Sequence, residues 1–130
     1  FNDRQIYRLA IEQWQQGKRL RYDQIPEELQ RHKNKNTFLN RFQVVDPNGY
    51  SHTVVAHIAM DGHYYIYPIE HPTNENVRSI TIREAARIQS FPDDFFFEGS
   101  RSAVFKQIGN AVPVVMANKI ATALKTMLDS

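Results

Sequence analysis

The sequence predicts an α+β fold, because helical and strand-like patterns follow one another along a chain of domain size. An amphipathic helical pattern occupies residues 3–16, β-branched and aromatic runs fill 52–58 and 63–68, and helical patterns return from residue 80. With 130 residues, 42% of them hydrophobic and 23% charged, the composition is that of an ordinary globular protein. We therefore expect one packed core and no extensive disorder.

The chain contains no cysteine, which excludes disulfides, thiolate metal sites and a cysteine nucleophile within these residues. It has no apolar run of about 18 residues and no charged-then-apolar leader. We therefore expect neither a membrane span nor a signal peptide, and a cytoplasmic location. Because the chain begins with Phe1 and not with methionine, we treat it as a possible fragment of a longer protein.

The chain is expected to begin with helices. In residues 3–16, Asp3 is a plausible N-cap, and Gly17 follows the end of the helical pattern. Pro26 suits the first position of a second, short helix, and Glu27 complements the positive N-terminal end of that helix.

The middle of the chain is predicted to form β-structure. A strand at 42–45 leads into DPNG, which is a turn by its Pro and Gly chemistry. The runs 52–58 and 63–68 flank Asp61 and Gly62, a dipeptide that strongly favours a hairpin. We therefore expect a β-hairpin here.

A boundary is predicted in residues 69–77, which mix Pro, Asn, Thr and Glu without periodicity. We accordingly divide the chain into 1–77 and 78–130. Just after the boundary, Thr81 and Glu84 have the spacing of a capping box, so a helix is expected from the next residue after Thr81.

Further helices are predicted to the end of the chain. Pro92 stops the first of them, Ser100 caps the next, Gly109 ends that one in the left-handed conformation, and Pro113 begins the last. The last helix is expected to bury its apolar face, whose residues are Ala117, Ile120, Ala121, Leu124 and Leu128.

A basic segment, RHKNKNTFLNR at 31–41, is a candidate for nucleic-acid contact. The net charge of +2 is too small to argue for such a partner by itself. The segment, however, has no acidic residue, and Lys33, Lys35 and Arg41 are candidates for binding phosphates. The alternative is a solvated loop without a partner.

Three histidines lie in or near the predicted hairpin, but no metal site is expected there. His52, His57 and His63 have no acidic or cysteine partner at a fitting spacing, and alternation along a strand would place His52 and His57 on opposite faces. We expect these imidazoles to face solvent or DNA.

Two segments of the second part resemble blocks of a known family. RSITIREAARIQSFPDDFFF, from Arg78, and KQIGNAVPVVMANKIA, from Lys106, are similar to the ninth and tenth blocks of DNA cytosine-5 methyltransferases, at the appropriate interval. The run before them is similar to the end of the target-recognition region in one subgroup, so the resemblance covers 51–130. The residues that carry it are Arg78, Thr81, Arg83, Glu84, Ala86, Arg87, Gln89, Phe91, Pro92, Gln107, Gly109, Asn110, Ala111, Val112 and Pro113.

The resemblance implies an enzyme that transfers a methyl group from S-adenosylmethionine to cytosine in double-stranded DNA, as in restriction-modification systems. Asn110 and Ala111 would line the cofactor pocket, and the Asn110 amide and the Ala111 N–H would point to the carboxylate end of the cofactor. Thr53 would contact the DNA backbone. The C-terminal helices would complete a larger α/β methyltransferase domain, with a structural role for Arg78, Thr81, Arg83, Glu84, Arg87, Pro92 and Gly109.

Three blocks of that family have no counterpart in this chain: the nucleophilic Pro-Cys, the Gly-rich cofactor block and the Glu-Asn-Val block. The letters ENV do occur at 75–77, in a loop where the family has no catalytic glutamate, and we regard this as coincidence. We therefore expect a C-terminal fragment or subunit that is inactive without an N-terminal catalytic region or partner subunit. The alternatives are a stand-alone, non-catalytic DNA-binding module and a small interaction domain without a nucleic-acid partner.

Overall fold

The computed structural model describes residues 2–30, 39–60 and 62–129, and these are mostly helical. Their α-helices are α1 (Asn2–Gln15), α2 (Ile82–Ile88), α3 (Arg101–Asn110) and α4 (Val114–Leu128). Single turns of 3-10 helix lie at Tyr22–Gln24, Glu27–Leu29, Ala56–Ala59 and Gly62–Tyr64.

The chain divides into two compact units, each built from two stretches of sequence. The first unit is Phe1–Tyr50 with Asp61–Ile80, and the second is Ser51–Met60 with Thr81–Ser130. The division into 1–77 and 78–130 concerns the complete protein and stays a prediction. Within this chain, the short stretch before residue 61 belongs with the C-terminal helices.

The first unit has its core on one face of α1. The buried residues Ile6, Tyr7, Ala10 and Ile11 recur at helical spacing, which confirms the predicted helix. Gly17 follows α1 with φ +73°, a conformation that costs glycine little. The other buried members of this core are Leu20, Tyr22, Ile25, Leu29, Phe42, Ile66 and Val77.

The predicted hairpin is wrong for the described residues. Ile66 lies between Val44, to which it bridges in parallel, and Ser79, to which it bridges antiparallel. Backbone hydrogen bonds of 2.8–2.9 Å accompany these bridges. The run 52–58 belongs to the other unit and forms the 3-10 helix Ala56–Ala59.

Side-chain hydrogen bonds explain why 52–58 needs no partner strand around Val54. The N–H of this buried residue donates to Oε1 of Gln89, and its carbonyl accepts from Nε2 of Gln89, both at 3.3 Å. A side-chain amide thus satisfies both backbone groups that a neighbouring strand would otherwise bind. The sheet component of the α+β prediction is reduced to isolated bridges in the described chain.

The helix starts of the second unit follow the predicted capping chemistry. Thr81 and Glu84 form a reciprocal capping box: Glu84 N donates to Thr81 Oγ1 at 3.3 Å, and Thr81 N donates to Glu84 Oε2 at 2.6 Å. Ser100 accepts from Ala103 N at 3.3 Å and caps α3. The predicted starts of α2, α3 and α4 are confirmed.

The left-handed conformation predicted for Gly109 is wrong. α3 continues through Asn110, and Gly109 is an ordinary helical residue. Its lack of a side chain matters for packing instead, since a Cβ placed on it would lie 2.4 Å from the carbonyl oxygen of Val55 and 2.8 Å from Cα of Ala56. α3 therefore packs directly against the backbone of the 3-10 helix Ala56–Ala59.

The burial predicted for α4 is also wrong within this chain. α4 has no buried residue, and its apolar side chains are exposed, from 39% at Val114 to 86% at Leu128. An amphipathic pattern identifies a face that needs a partner but does not place that partner in the same chain. None of the helices in the described ranges has the length and apolar content required to cross a bilayer. The misassigned residues are Ala117, Ile120, Ala121, Leu124 and Leu128.

Candidate functional site

Residues 110–113, which we call the 110–113 corner, join α3 to α4. Asn110 is the last residue of α3 and its side chain is exposed, whereas Ala111 is half-buried. The N–H of Ala111 donates to the carbonyl of Ile108 at 3.2 Å. Its predicted orientation toward a cofactor carboxylate is therefore wrong in this conformation, and Asn110 is the polar side chain that the corner offers to a ligand.

The side chain of Gln89 holds the corner from the protein interior. Gln89 is fully buried, at 0% exposed. Its Nε2 lies 2.9 Å from the carbonyl oxygen of Ala111, 3.1 Å from that of Ile108 and 3.3 Å from that of Val54. One side chain thus connects the corner, the end of α3 and the segment before the 3-10 helix of this unit.

The far side of the corner is fixed by the backbone of Gln89 and by its neighbour Ser90. Val114 N donates to the carbonyl of Gln89 at 3.1 Å, and Val115 N donates to Oγ of Ser90 at 3.0 Å. These bonds satisfy two free N–H groups at the start of α4. Ser90 makes its bond with φ +56°, a left-handed conformation that is unfavourable for a residue with a side chain.

Two arginines of α2 shape the turn that follows it. Arg87 donates to both carboxylate oxygens of Asp93, at 2.8 and 2.9 Å, and these hydrogen bonds hold the pKa of Asp93 below its usual value. Arg83 donates to the carbonyls of Pro92 and Phe95 at 3.4 and 3.2 Å. Both arginines therefore have partners within the second unit.

An aromatic cluster closes the same turn. The rings of Phe91, Phe95 and Phe97 lie with their centroids 4.8–5.1 Å apart in tilted or edge-on arrangements. Such geometry is favourable for aromatic pairs and stabilises the turn beyond the contribution of area burial.

The remaining predicted contacts are divided between the units. Thr53 is exposed in the second unit, immediately before the Val54 that Gln89 holds. Arg78 belongs to the first unit, where its guanidinium lies over the ring of Tyr67, 3.9 Å from the centroid, and Nη1 donates to the carbonyl of Ser79 at 3.1 Å.

The accessible position assumed for Arg41 in the basic segment is wrong. Arg41 is 6% exposed, and its guanidinium lies over the ring of Tyr22, 4.1 Å from the centroid. A cation stacked on an aromatic face inside a core cannot reach a phosphate in this conformation. Lys33 and Lys35 lie outside the described residues.

The exposed position expected for His63, facing solvent or DNA, is wrong as well. His63 is half-buried, with its Nδ1 2.9 Å from the hydroxyl oxygen of Tyr7 and its ring 5.1 Å from that of Phe42. His52 and His57 are exposed. In the ranges that the structure describes, no group of three or more His, Asp or Glu residues is arranged to hold a metal ion.

Gln89 and Ser90 are the functional candidates that sequence reasoning did not assign a role. A glutamine or serine at the end of a helix is ordinary on the surface, so the residue type by itself does not indicate burial. A signal did exist in the apolar setting, because Gln89 follows Ala85 and Ala86, which are both fully buried, at i+4 and i+3 on the same face of α2.

A comparison with protein families gives the decisive observation. The family profile described as C-5 cytosine-specific DNA methylase matches residues 2–126, nearly the whole chain. The chain belongs to this family. The match includes residues 2–50, which lie outside the resemblance found in 51–130.

Individual relatives of this DNA methylase chain are type II methyltransferases. It is 50% identical over 127 residues to M.Bpa9945I of Bacillus paralicheniformis, a match that covers 98% of this chain and 28% of the relative. It is 51% identical over 59 residues to M.Eco47II of Escherichia coli, covering 45% of this chain and 14% of the relative. The matches thus cover less than a third of the length of each of these proteins. No solved structure matches it.

Proposed function

We propose that the chain is the C-terminal part of a DNA cytosine-5 methyltransferase, contributing DNA contacts and one wall of the S-adenosylmethionine site. The observation that carries the proposal is the family match over residues 2–126 in a chain that spans 28% of M.Bpa9945I. The absence of cysteine supports assigning the covalent chemistry to a region outside these residues. A cytoplasmic location belongs to the same proposal.

The chemistry of the reaction indicates which steps this chain would contribute and which would come from another region. Methylation at carbon 5 of cytosine uses a thiolate that adds to the flipped base, and S-adenosylmethionine supplies the methyl group. This chain has no thiol. Its proposed part is to bind and orient: Thr53 and the lysines of the basic segment contact the DNA backbone, and Asn110 contacts the cofactor.

The 110–113 corner is suited to one edge of that cofactor. The exposed amide of Asn110 can donate a hydrogen bond to a carboxylate, and the corner is held by bonds at both of its sides. Since the N–H of Ala111 is already bonded to Ile108, Ala111 contributes only the surface of its small side chain to this wall.

The exposed face of α4 is proposed to pack on the catalytic region of the complete enzyme. Its exposed apolar side chains form the pattern that a covered helix requires. The ninth-block residues Arg78, Thr81, Arg83, Glu84, Arg87 and Pro92, with Gly109 of the tenth block, are proposed to keep the structural role implied by the resemblance. A separate N-terminal subunit and the N-terminal part of the same polypeptide are equivalent for this packing.

Replacing Asn110 with Ala in the complete methyltransferase tests the cofactor assignment. Losing one hydrogen bond to a charged group costs about 1.5–3 kcal/mol, so the Kd of S-adenosylmethionine should rise roughly ten- to a hundredfold. Isothermal titration calorimetry measures this change, and the Asn74→Ala variant, at an exposed asparagine of the first unit, is the matched control. Equal cofactor affinity in wild type and Asn110→Ala would show that the corner is only a turn.

Replacing Lys33 or Lys35 with Ala tests the DNA contacts. Each phosphate contact releases counterions, so each variant should weaken DNA binding at low salt and reduce the slope of log K against log salt by about 1. Fluorescence anisotropy at several salt concentrations gives the slope. Lys125→Ala, at an exposed position of α4, should leave it unchanged. If neither Lys33→Ala nor Lys35→Ala alters the slope, the segment is a solvated loop.

A further inference from the structure

Gln89 is a buried polar side chain with an unusual number of partners. Its two amide hydrogens face three carbonyl oxygens, those of Val54, Ile108 and Ala111, at 3.3, 3.1 and 2.9 Å, and its oxygen accepts from Val54 N at 3.3 Å. Burying a side-chain amide costs free energy unless its donors and its acceptor form hydrogen bonds. No apolar residue of similar size could satisfy these backbone groups.

The hydrogen-bond partners of Gln89 lie in two segments, one next to a proposed cofactor contact and the other next to a proposed DNA contact. Ala111 belongs to the corner proposed to contact S-adenosylmethionine, and Val54 directly follows Thr53, proposed to contact DNA. The backbone carbonyl of Gln89 and the hydroxyl of Ser90 also fix the start of α4 beyond the corner. Consecutive residues therefore hold the corner on both of its sides.

The backbone of Ser90 indicates that this arrangement is imposed by its surroundings. A serine with φ +56° is in a left-handed conformation that is unfavourable for a residue with a side chain. Such a conformation persists where the neighbouring contacts determine it, here the bond from Val115 N. Gln89 and Ser90 thus hold the corner and the start of α4 through defined hydrogen bonds.

We propose that Gln89 is a positioning residue for cofactor binding, which sets Asn110 by holding the backbone of Ala111 and ties the corner to the Thr53-Val54 backbone. This inference rests on the proposed function, because it requires Asn110 to contact the cofactor. Gln89 does not touch the reacting atoms in this scheme. Its loss should therefore affect cofactor affinity much more than the maximal rate.

A double-mutant cycle in the complete methyltransferase tests the proposal. Gln89→Met keeps the length of the side chain and removes its hydrogen bonds, and we expect the Kd of S-adenosylmethionine to rise roughly tenfold with kcat at saturating cofactor changed less than about threefold. In the Gln89→Met background, Asn110→Ala should add less than about a threefold further loss, because the amide is already misplaced. Gln15→Met is the matched control, since Gln15 Nε2 donates to the carbonyls of Ile69 and Glu70 in the first unit, and it should leave cofactor affinity unchanged.

The outcomes separate this inference from the function on which it rests. Additive losses in the cycle, or an unaltered Kd in Gln89→Met, overturn the positioning role while Asn110→Ala alone still weakens binding. If Asn110→Ala has no effect, the cofactor assignment itself fails, and the positioning role fails with it.

A second variant keeps the test decisive if Gln89→Met does not fold. In Gln89→Glu, a protonated carboxyl can donate to one of the facing carbonyls, whereas an ionised one repels them, and burial raises the pKa of such a group. Cofactor affinity of Gln89→Glu should therefore approach that of wild type at low pH and fall as pH rises, relative to wild type at each pH. The same ratio of the two affinities at every pH would overturn the proposal.

Discussion

The 130-residue chain alone is expected to transfer no methyl group to DNA, even when it binds DNA or cofactor weakly. The covalent step needs a thiolate, and the chain contains no cysteine. Incubation with S-adenosylmethionine labelled on its methyl group and cytosine-containing duplex DNA should give no incorporation above the protein-free background. The complete methyltransferase, assayed in parallel, is the positive control.

A second assay supplies the proposed N-terminal catalytic part. If the chain is the C-terminal part of the enzyme, mixing it with the separately produced N-terminal part should give methyl transfer to DNA that neither part gives alone. Joining the two parts covalently should have the same effect. If the chain alone labels DNA, and a substitution within residues 1–130 abolishes that labelling, the covalent chemistry does not belong to another region and the proposal is contradicted. Failure of every such combination, with DNA binding retained by the chain, would favour the stand-alone DNA-binding module.

Gly109→Ala is expected to destabilise the second unit by roughly 1–2 kcal/mol. Two effects oppose each other at this position. Alanine is favoured over glycine inside a helix by about 1 kcal/mol. The new methyl group, however, would lie 2.4 Å from the carbonyl oxygen of Val55, and a backbone atom cannot move aside by changing rotamer. The overlap should therefore outweigh the gain in helix propensity.

Urea unfolding of the chain can measure this loss with two signals. Far-ultraviolet circular dichroism follows the helices, whereas fluorescence follows Trp14, the single tryptophan, which lies in α1 of the first unit. We expect Gly109→Ala to lower the midpoint of the helical signal, and the Trp14 signal then tells whether the loss extends to the first unit. Ser102→Ala, at an exposed position of the same α3, should change stability by less than about 0.5 kcal/mol. An unchanged helical midpoint in Gly109→Ala would mean that α3 does not pack this closely in solution.

Features decided by a few neighbouring residues were predictable from the sequence. The capping box of Thr81 and Glu84, the cap at Ser100 and the left-handed Gly17 depend on local backbone chemistry, and each is present. The DPNG turn also forms, with Asn48 N donating to Oδ1 of Asp46 at 2.9 Å. Such contacts span at most a few residues, so a pattern of residue types is sufficient to identify them.

Features decided by distant partners were not predictable. The run 63–68 has strand character, but nothing in it specifies that Ile66 bridges to Val44 and Ser79 and not to the run before it. Arg41 has the charge of a phosphate ligand, and only the position of Tyr22 shows that it is buried. Of the candidate site, the exposed Asn110 was found through resemblance, whereas the interior contacts of Gln89 required the folded chain.

The interleaved units affect how this chain can be synthesised and shortened. The second unit needs residues 51–60, which leave the ribosome long before α3, the helix that packs on them. Val54 and Ile58 are both buried in the folded second unit. During synthesis their side chains therefore stay exposed while residues 61–80 are added. A truncation after residue 80 would leave those side chains permanently uncovered, and a piece beginning at residue 81 would lack the surface against which Gly109 fits. Neither unit can be isolated by a single cut, and obtaining the second unit whole requires a linker that joins residue 60 to residue 81 in place of residues 61–80.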